Sequence, residues 1–318
     1  MNHQTAAAEP AAAAAVAVPE VVAAPALGGP ERPDGRRAAL APVALVVAGA
    51  LSVQFGAAIA VLLMPRAGAL GVVTLRLAAA ALVLLVVCRP KLRGHSRADW
   101  GTVVAFGIAM GGMNTLFYQA ADRIPLGAAV TLEVLGPLAL SVIASRRLVN
   151  VVWAALALGG VVLLSGGGFD RLDPVGAAYA LGAGVMWAAY IVFSARTGRR
   201  FPQADGLALA MVVAALLSLP LGIMDAGSKL LVPTTLGLGA AVALLSSVLP
   251  YTLELIALRR LPAPTFAILM SLEPAIAAMA GFLILHQALS LTDALAIALV
   301  IGASMGAVRS QVRGVAKR

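Results

Sequence analysis

Residues 263–285 read APTFAILMSLEPAIAAMAGFLIL. At 1.5 Å per residue this apolar run is long enough to cross the ~30 Å hydrocarbon layer of a bilayer. Near its middle stands one carboxylate, Glu273, with Pro274 directly behind it. A buried charge and a helix breaker together are costly in lipid, so the stretch reads as a membrane span built around a deliberate break.

Composition places the rest of the chain in the same class. Of 318 residues, 61% are hydrophobic and 12% charged. A soluble domain carries about a quarter charged residues, roughly twice this share. Ten apolar runs of crossing length follow one another, at about 40–62, 69–88, 99–120, 126–145, 149–166, 175–194, 204–223, 234–257, 263–285 and 292–309. The expected architecture is therefore an all-α membrane protein of ten transmembrane helices.

The basic residues test that count. With the N-terminus inside, 18 of the 23 Lys and Arg residues fall in cytoplasmic segments, among them Arg89, Lys91, Arg146, Arg147, Arg259 and Arg260. Arg66, Arg123, Arg171 and Lys229 fall outside, and Arg76 lies within a span. The alternation holds along the whole chain, which predicts ten spans with both termini cytoplasmic. The net charge of +9 thus serves insertion topology rather than nucleic-acid binding. Residues 1–37, rich in Ala, Pro and Gly, read as a disordered cytoplasmic tail, and 311–318 as a short cytoplasmic tail. Cys88 is the lone cysteine and can form no intramolecular disulfide; no Cys/His cluster calls for a metal, and no motif for a cofactor.

An internal repeat is written in the prolines. Pro125 and Pro137 lie over Pro262 and Pro274 at one offset, aligning IPLGAAVTLEVLGP (124–137) with LPAPTFAILMSLEP (261–274). AGALSVQF (48–55) similarly lies over LGAGVMWA (181–188). This predicts a five-helix repeat at 38–166 and another at 167–310. An odd number of spans inverts the second copy, giving two inverted five-helix repeats with a site near the midplane, the plan of alternating-access carriers.

Ionisable groups inside spans are few: Arg76, Glu133, Glu273 and, near a span end, Glu254. Each costs roughly 2.5–3.5 kcal/mol on insertion scales, so a cavity or a partner is expected for each. Arg76 and Glu133 lie at equal depth, which permits pairing, and Glu273 lies close to the centre. Glu254 is near enough to water to snorkel and reads as a mouth or structural residue. Pro137 frees the carbonyl of Glu133, and Pro274 that of Met270. Both prolines therefore mark helix breaks beside a carboxylate, tolerated only within protein or next to a polar cavity. Gln54, Asn114, Tyr118, Trp187, Tyr190 and Tyr251 are the polar and aromatic candidates to line it. Gly107, Gly111, Gly112, Gly159 and Gly160 point to close helix packing.

No GxxxxGK[ST] loop is present for ATP hydrolysis, no arginine ladder for voltage sensing, and no nucleophile–base cluster for catalysis. The chain is thus expected to be a transporter and not an enzyme. A membrane-embedded enzyme would need such a cluster at a membrane face, and a channel would conduct without saturable exchange.

Two blocks carry a family resemblance: GGMNTLFYQAADRIPLGAAVTLEVLGPLALSVIASRR (111–147) and LPYTLELIALRRLPAPTFAILMSLEPAIAAMAG (249–281). They resemble the bacterial threonine/homoserine exporter branch of the drug/metabolite transporter superfamily, whose repeats are of the EamA type. The resemblance implies efflux of small amino acids across the bacterial inner membrane, with motif positions at Arg76, Asn114, Glu133, Glu254 and Glu273. EamA repeats commonly close their fourth helix with Leu-Gly-Glu, and this chain has Leu285-His286-Gln287 instead.

A zwitterionic amino acid needs one partner of each sign. Arg76 is placed to hold the carboxylate and Glu133 or Glu273 the ammonium, with Asn114 and Tyr118 reading the remainder. A carboxyl that alternates between an apolar site and water can exchange a proton, which makes Glu273, with Glu133, the expected carrier for proton antiport. The alternative cargo is another metabolite or an amphipathic drug attracted by the same carboxylates.

Overall fold

The fold comes from a computed structural model describing residues 35–145, 148–164, 172–201, 205–250 and 263–315, with 253 and 257 besides. Among the described residues every regular element is helical. In chain order the α-helices are α1 (Gly35–Cys88), α2 (Arg97–Ala121), α3 (Leu126–Glu133), α4 (Leu135–Ser145), α5 (Leu148–Leu164), α6 (Pro174–Gly198), α7 (Asp205–Ala226), α8 (Pro233–Ala243), α9 (Ala263–Met270), α10 (Glu273–Leu285) and α11 (Leu291–Val315). A 3-10 turn, Gly227–Leu231, precedes α8, and a π-helical turn, Leu244–Val248, follows it. Tyr251 and Glu254 lie outside the described residues, as does nearly all of the expected N-terminal tail. α1 begins at Gly35, three residues before the first expected repeat, and α11 runs on to Val315.

Among the described residues six helical stretches are long and apolar enough to cross a bilayer, and Leu126–Leu140, Val151–Leu163 and Pro233–Val248 are shorter apolar ones. Large apolar side chains stand almost bare: Val87 and Ile143 at 73% exposure, Leu291 at 77% and Met224 at 84%. Water would penalise such a surface, whereas lipid tails match it.

α1 is two helices joined at a kink. Its 54 residues would measure ~81 Å if straight, far more than one crossing needs. Gly68 breaks it with φ 66° and ψ 164°, a backbone conformation that side-chain-bearing residues avoid. Asp225, from the end of α7, accepts the Leu70 backbone N–H at 3.1 Å and so caps the helix that restarts there. A Cβ on Gly68 would also run into that carboxylate, so sterics and backbone geometry demand glycine together. Sequence reading places two spans here, at 40–62 and 69–88, but does not see that a carboxylate 155 positions away holds their junction.

Small residues let the helices approach. Gly107 and Gly111 of α2 face Ala210, Val213 and Ala214 of α7, Gly112 faces Met186 of α6, and Gly160 of α5 faces Ala296 of α11. Gly159 faces open space, so its role is not packing. The resulting neighbours are α2 against α6 and α7, α1 against α7 and α8, and α5 against α11. One cluster of buried apolar side chains, including Leu77, Phe106, Met110, Tyr118, Leu126 and Leu132, runs through their centre.

Candidate functional site

The two breaks read from the prolines are present. In the first, α3 ends at Glu133, Val134 forms the turn, and α4 starts at Leu135 with Pro137 in its first turn. In the second, α9 ends at Met270, Ser271 and Leu272 turn, and α10 starts at Glu273 with Pro274 beside it. The prolines act as expected from a missing N–H and a ring that crowds the preceding turn. Glu133 therefore stands at the C-terminal end of one half-helix, and Glu273 at the N-terminal end of another.

Helices α3 and α10 pack on each other, and a Cβ on Gly127 would touch Ala278. Six residues onward along α3 lies Glu133, and five residues back along α10 lies Glu273. An antiparallel crossing with this register brings both carboxylates to one level. Glu133 accordingly feels the charge of Glu273 and also that of Arg76. Both side chains are buried, at 8% and 7% exposure.

Helix dipoles give the two positions different tastes. The free carbonyls at the end of α3 favour a cation, and the positive end of the α10 dipole favours an anion. The carbonyl of Glu133, left without its N–H donor by Pro137, turns toward α6. There Gly184 admits it so closely that a Cβ on Gly184 would lie 2.6 Å from that oxygen. Gly136 meets the Gly184 backbone in the same way. The close approach of Gly136 and Gly184 is thus what seats the first break against α6.

Arg76, in the second half of α1, donates from Nη1 to the Tyr118 hydroxyl at 3.1 Å and from Nη2 to the Ser246 carbonyl at 3.0 Å. The guanidinium also lies over the Tyr118 ring, 5.6 Å from its centroid. It makes these contacts rather than a salt bridge to Glu133, with which its depth along the sequence permits pairing. A fork of five donors finds fixed acceptors here. Tyr118 is fully buried and T-stacked on Phe117, so the anchor for Arg76 is rigid.

Ser246 belongs to the π-helical turn, whose widened backbone spares carbonyls that an α-helix would use internally. Arg76 takes one of them, and the Ser52 hydroxyl takes the neighbouring Leu245 carbonyl at 2.5 Å. Sequence reading misses this turn and its serines. The Ser246-Ser247 pair inside an apolar run is the signal available for it.

The remaining candidates separate. Asn114 is buried but gives its Nδ2–H to the Met110 carbonyl of its own helix at 2.9 Å. Gln54 is 3% exposed and its Oε1 has no hydrogen-bond partner. Trp187 is half-buried against the main core. Tyr190 packs on Phe106 with ring centroids 5.2 Å apart, near a cavity between α2, α6 and α7 lined by Phe106, Ser194, Thr197 and Phe201. The departure at Leu285-His286-Gln287 also has a structural meaning. His286 takes a left-handed conformation (φ 53°, ψ 31°) in which glycine is more at ease, and Gln287 Oε1 accepts the Leu126 N–H that opens α3, at 3.0 Å. The amide oxygen thus does at the α3 N-terminus what a carboxylate oxygen would do there.

Comparison with known proteins gives the family. Residues 174–309 match the EamA-like transporter family. The threonine/homoserine exporter RhtA of Escherichia coli (strain K12) is 42% identical over 83% of this chain and 90% of its own length. RhtA of Salmonella typhimurium (strain LT2) shows the same identity and coverage. The uncharacterized transporter YwfM of Bacillus subtilis is 28% identical over 73% of this chain and 81% of its own. A solved crystal structure superposes with a TM-score of 0.56 over 85% of this chain and 98% of its own, at 20% identity, and shows a shared fold. The chain is a membrane transporter belonging to the EamA-like transporter family.

Proposed function

We propose that the protein exports small neutral amino acids of the threonine/homoserine class across the bacterial inner membrane. The observation that carries this reading is one guanidinium, fixed by Tyr118 and Ser246, within electrostatic reach of Glu133, which also feels Glu273 at a facing helix break. That set of charges suits a zwitterion. Arg76 receives the carboxylate, and the carboxylate of Glu133 beside the free carbonyls of α3 receives the ammonium. Asn114 and Tyr118 border the rest of the substrate. The cargo itself comes from the relatives, whose printed names give threonine and homoserine.

The kink at Gly68 and the paired breaks support a count of ten crossings, with α3–α4 as one and α9–α10 as another. The bias of basic residues supports both termini in the cytoplasm. Glu273 and Glu133 are the groups proposed to carry a proton in antiport.

The test has two parts. Cells overexpressing the protein and fed threonine or homoserine as dipeptides should export the free amino acid faster than controls. In proteoliposomes, exchange of labelled threonine should respond to an imposed pH gradient, and Glu273→Gln should abolish that response. Wild-type behaviour in Glu273→Gln would remove Glu273 from the coupling step.

A further inference from the structure

The contacts around Arg76 leave specific atoms unsatisfied. Its Nε–H is buried without a partner, although both terminal nitrogens are engaged. The hydroxyl of Ser246, the residue whose carbonyl fixes Arg76, is likewise buried without a partner, and the residue is 3% exposed. Buried polar atoms are nearly always hydrogen-bonded, because an unmade bond carries the full desolvation cost. Two orphans on one contacting pair therefore mark a place where a polar ligand completes the set.

The chemistry of that ligand follows from the donors. A guanidinium offers a carboxylate two parallel N–H bonds along an edge, and the edge bearing Nε is the one with an unmade bond. Ser246, whose carbonyl already meets Arg76, carries a hydroxyl that is a further donor. Gly56 on α1 lies against this hydroxyl so closely that only a residue without a side chain fits there. The π-helical turn supplies the last element. It turns the Ser246 carbonyl toward Arg76 while the Ser52 hydroxyl holds the adjacent Leu245 carbonyl, so the turn is pinned on both sides. Turns of this kind recur at functional sites.

We propose that Ser246 is a substrate-binding residue, sharing the substrate's α-carboxylate with the Nε edge of Arg76. The assignment rests on the exporter reading above and adds to it the carboxylate subsite. It separates Ser246 from a residue that reads the substrate's own hydroxyl, because carboxylate recognition is common to every amino acid carried.

The experiment is counterflow of labelled threonine in proteoliposomes, inhibited by unlabelled threonine or by threoninamide, which lacks the carboxylate charge. Wild type should prefer threonine. Ser246→Ala should narrow that preference by about ten-fold, the usual effect of one hydrogen bond to a charged group. Ser246→Cys, which keeps the volume and weakens the donor, should move it in the same direction by less. An unchanged preference in both variants overturns the proposal. So does an equal loss of affinity for threonine and threoninamide, which would mark Ser246 as packing alone. Absence of any threonine counterflow by wild type would instead overturn the exporter reading on which the subsite rests.

Discussion

Replacing Gly136 with alanine puts a methyl group into the backbone of α6. The new Cβ would lie 2.8 Å from the Gly184 Cα and closer still to the Gly184 carbonyl. Carbon atoms in contact prefer about 3.5–4.0 Å, so α4 and α6 must separate by roughly 1 Å. The obstacle is backbone, which cannot swing aside as a side chain would. Overpacking of this kind costs about 1–3 kcal/mol, offset by the ~0.5–1 kcal/mol that alanine gains over glycine inside a helix. With backbone as the obstacle the upper end of that cost applies, so the net loss is about 2–2.5 kcal/mol, or a fall of roughly 4–10 °C in the unfolding midpoint at the sensitivity of a mid-sized domain. The loss also loosens the seat of the Glu133 break against Gly184, so threonine exchange should fall with it. Thermal unfolding in detergent, followed by size-exclusion chromatography, reads the first effect and proteoliposome exchange the second. Gly302→Ala, where nothing lies within 4 Å, is the control and should hold or raise the midpoint. If Gly136→Ala unfolds at the wild-type temperature, the close contact of α4 and α6 at the break is wrong.

Two further outcomes follow from single contacts. Tyr118→Phe removes the acceptor for Arg76 Nη1 but keeps the ring, so threonine exchange should drop by about ten-fold and the thermal midpoint should fall by an amount matching about 1–3 kcal/mol. Gln287→Ala leaves the Leu126 N–H at the start of α3 without its acceptor, and should lower the unfolding midpoint by an amount matching about 1 kcal/mol. Gln287→Glu restores an acceptor oxygen and should keep the midpoint, checked in the same melt.

Much of this protein is legible from its letters because lipid imposes one-dimensional rules. A span must be about 20 residues long and apolar, and basic loops alternate across it, so helix positions emerge from hydropathy and charge alone. Proline acts on its own turn, which is why Pro137 and Pro274 announced breaks at Glu133 and Glu273 that the structure contains. Partner choice is another matter. Depth along the sequence allowed Arg76 to meet Glu133, yet the fold hands it Tyr118 and the Ser246 carbonyl, 42 and 170 positions away. The Asp225 cap at the Gly68 kink and the Gly136–Gly184 contact have no local signature, and the π-helical turn that exposes that carbonyl has only its serine pair. Each depends on how helices distant in sequence rotate and slide against one another, and that is decided by packing in three dimensions. The sequence by itself determined the membrane class, the helix breaks and the charges at them; only the tertiary structure decided which of those charges meet, and what holds each in place.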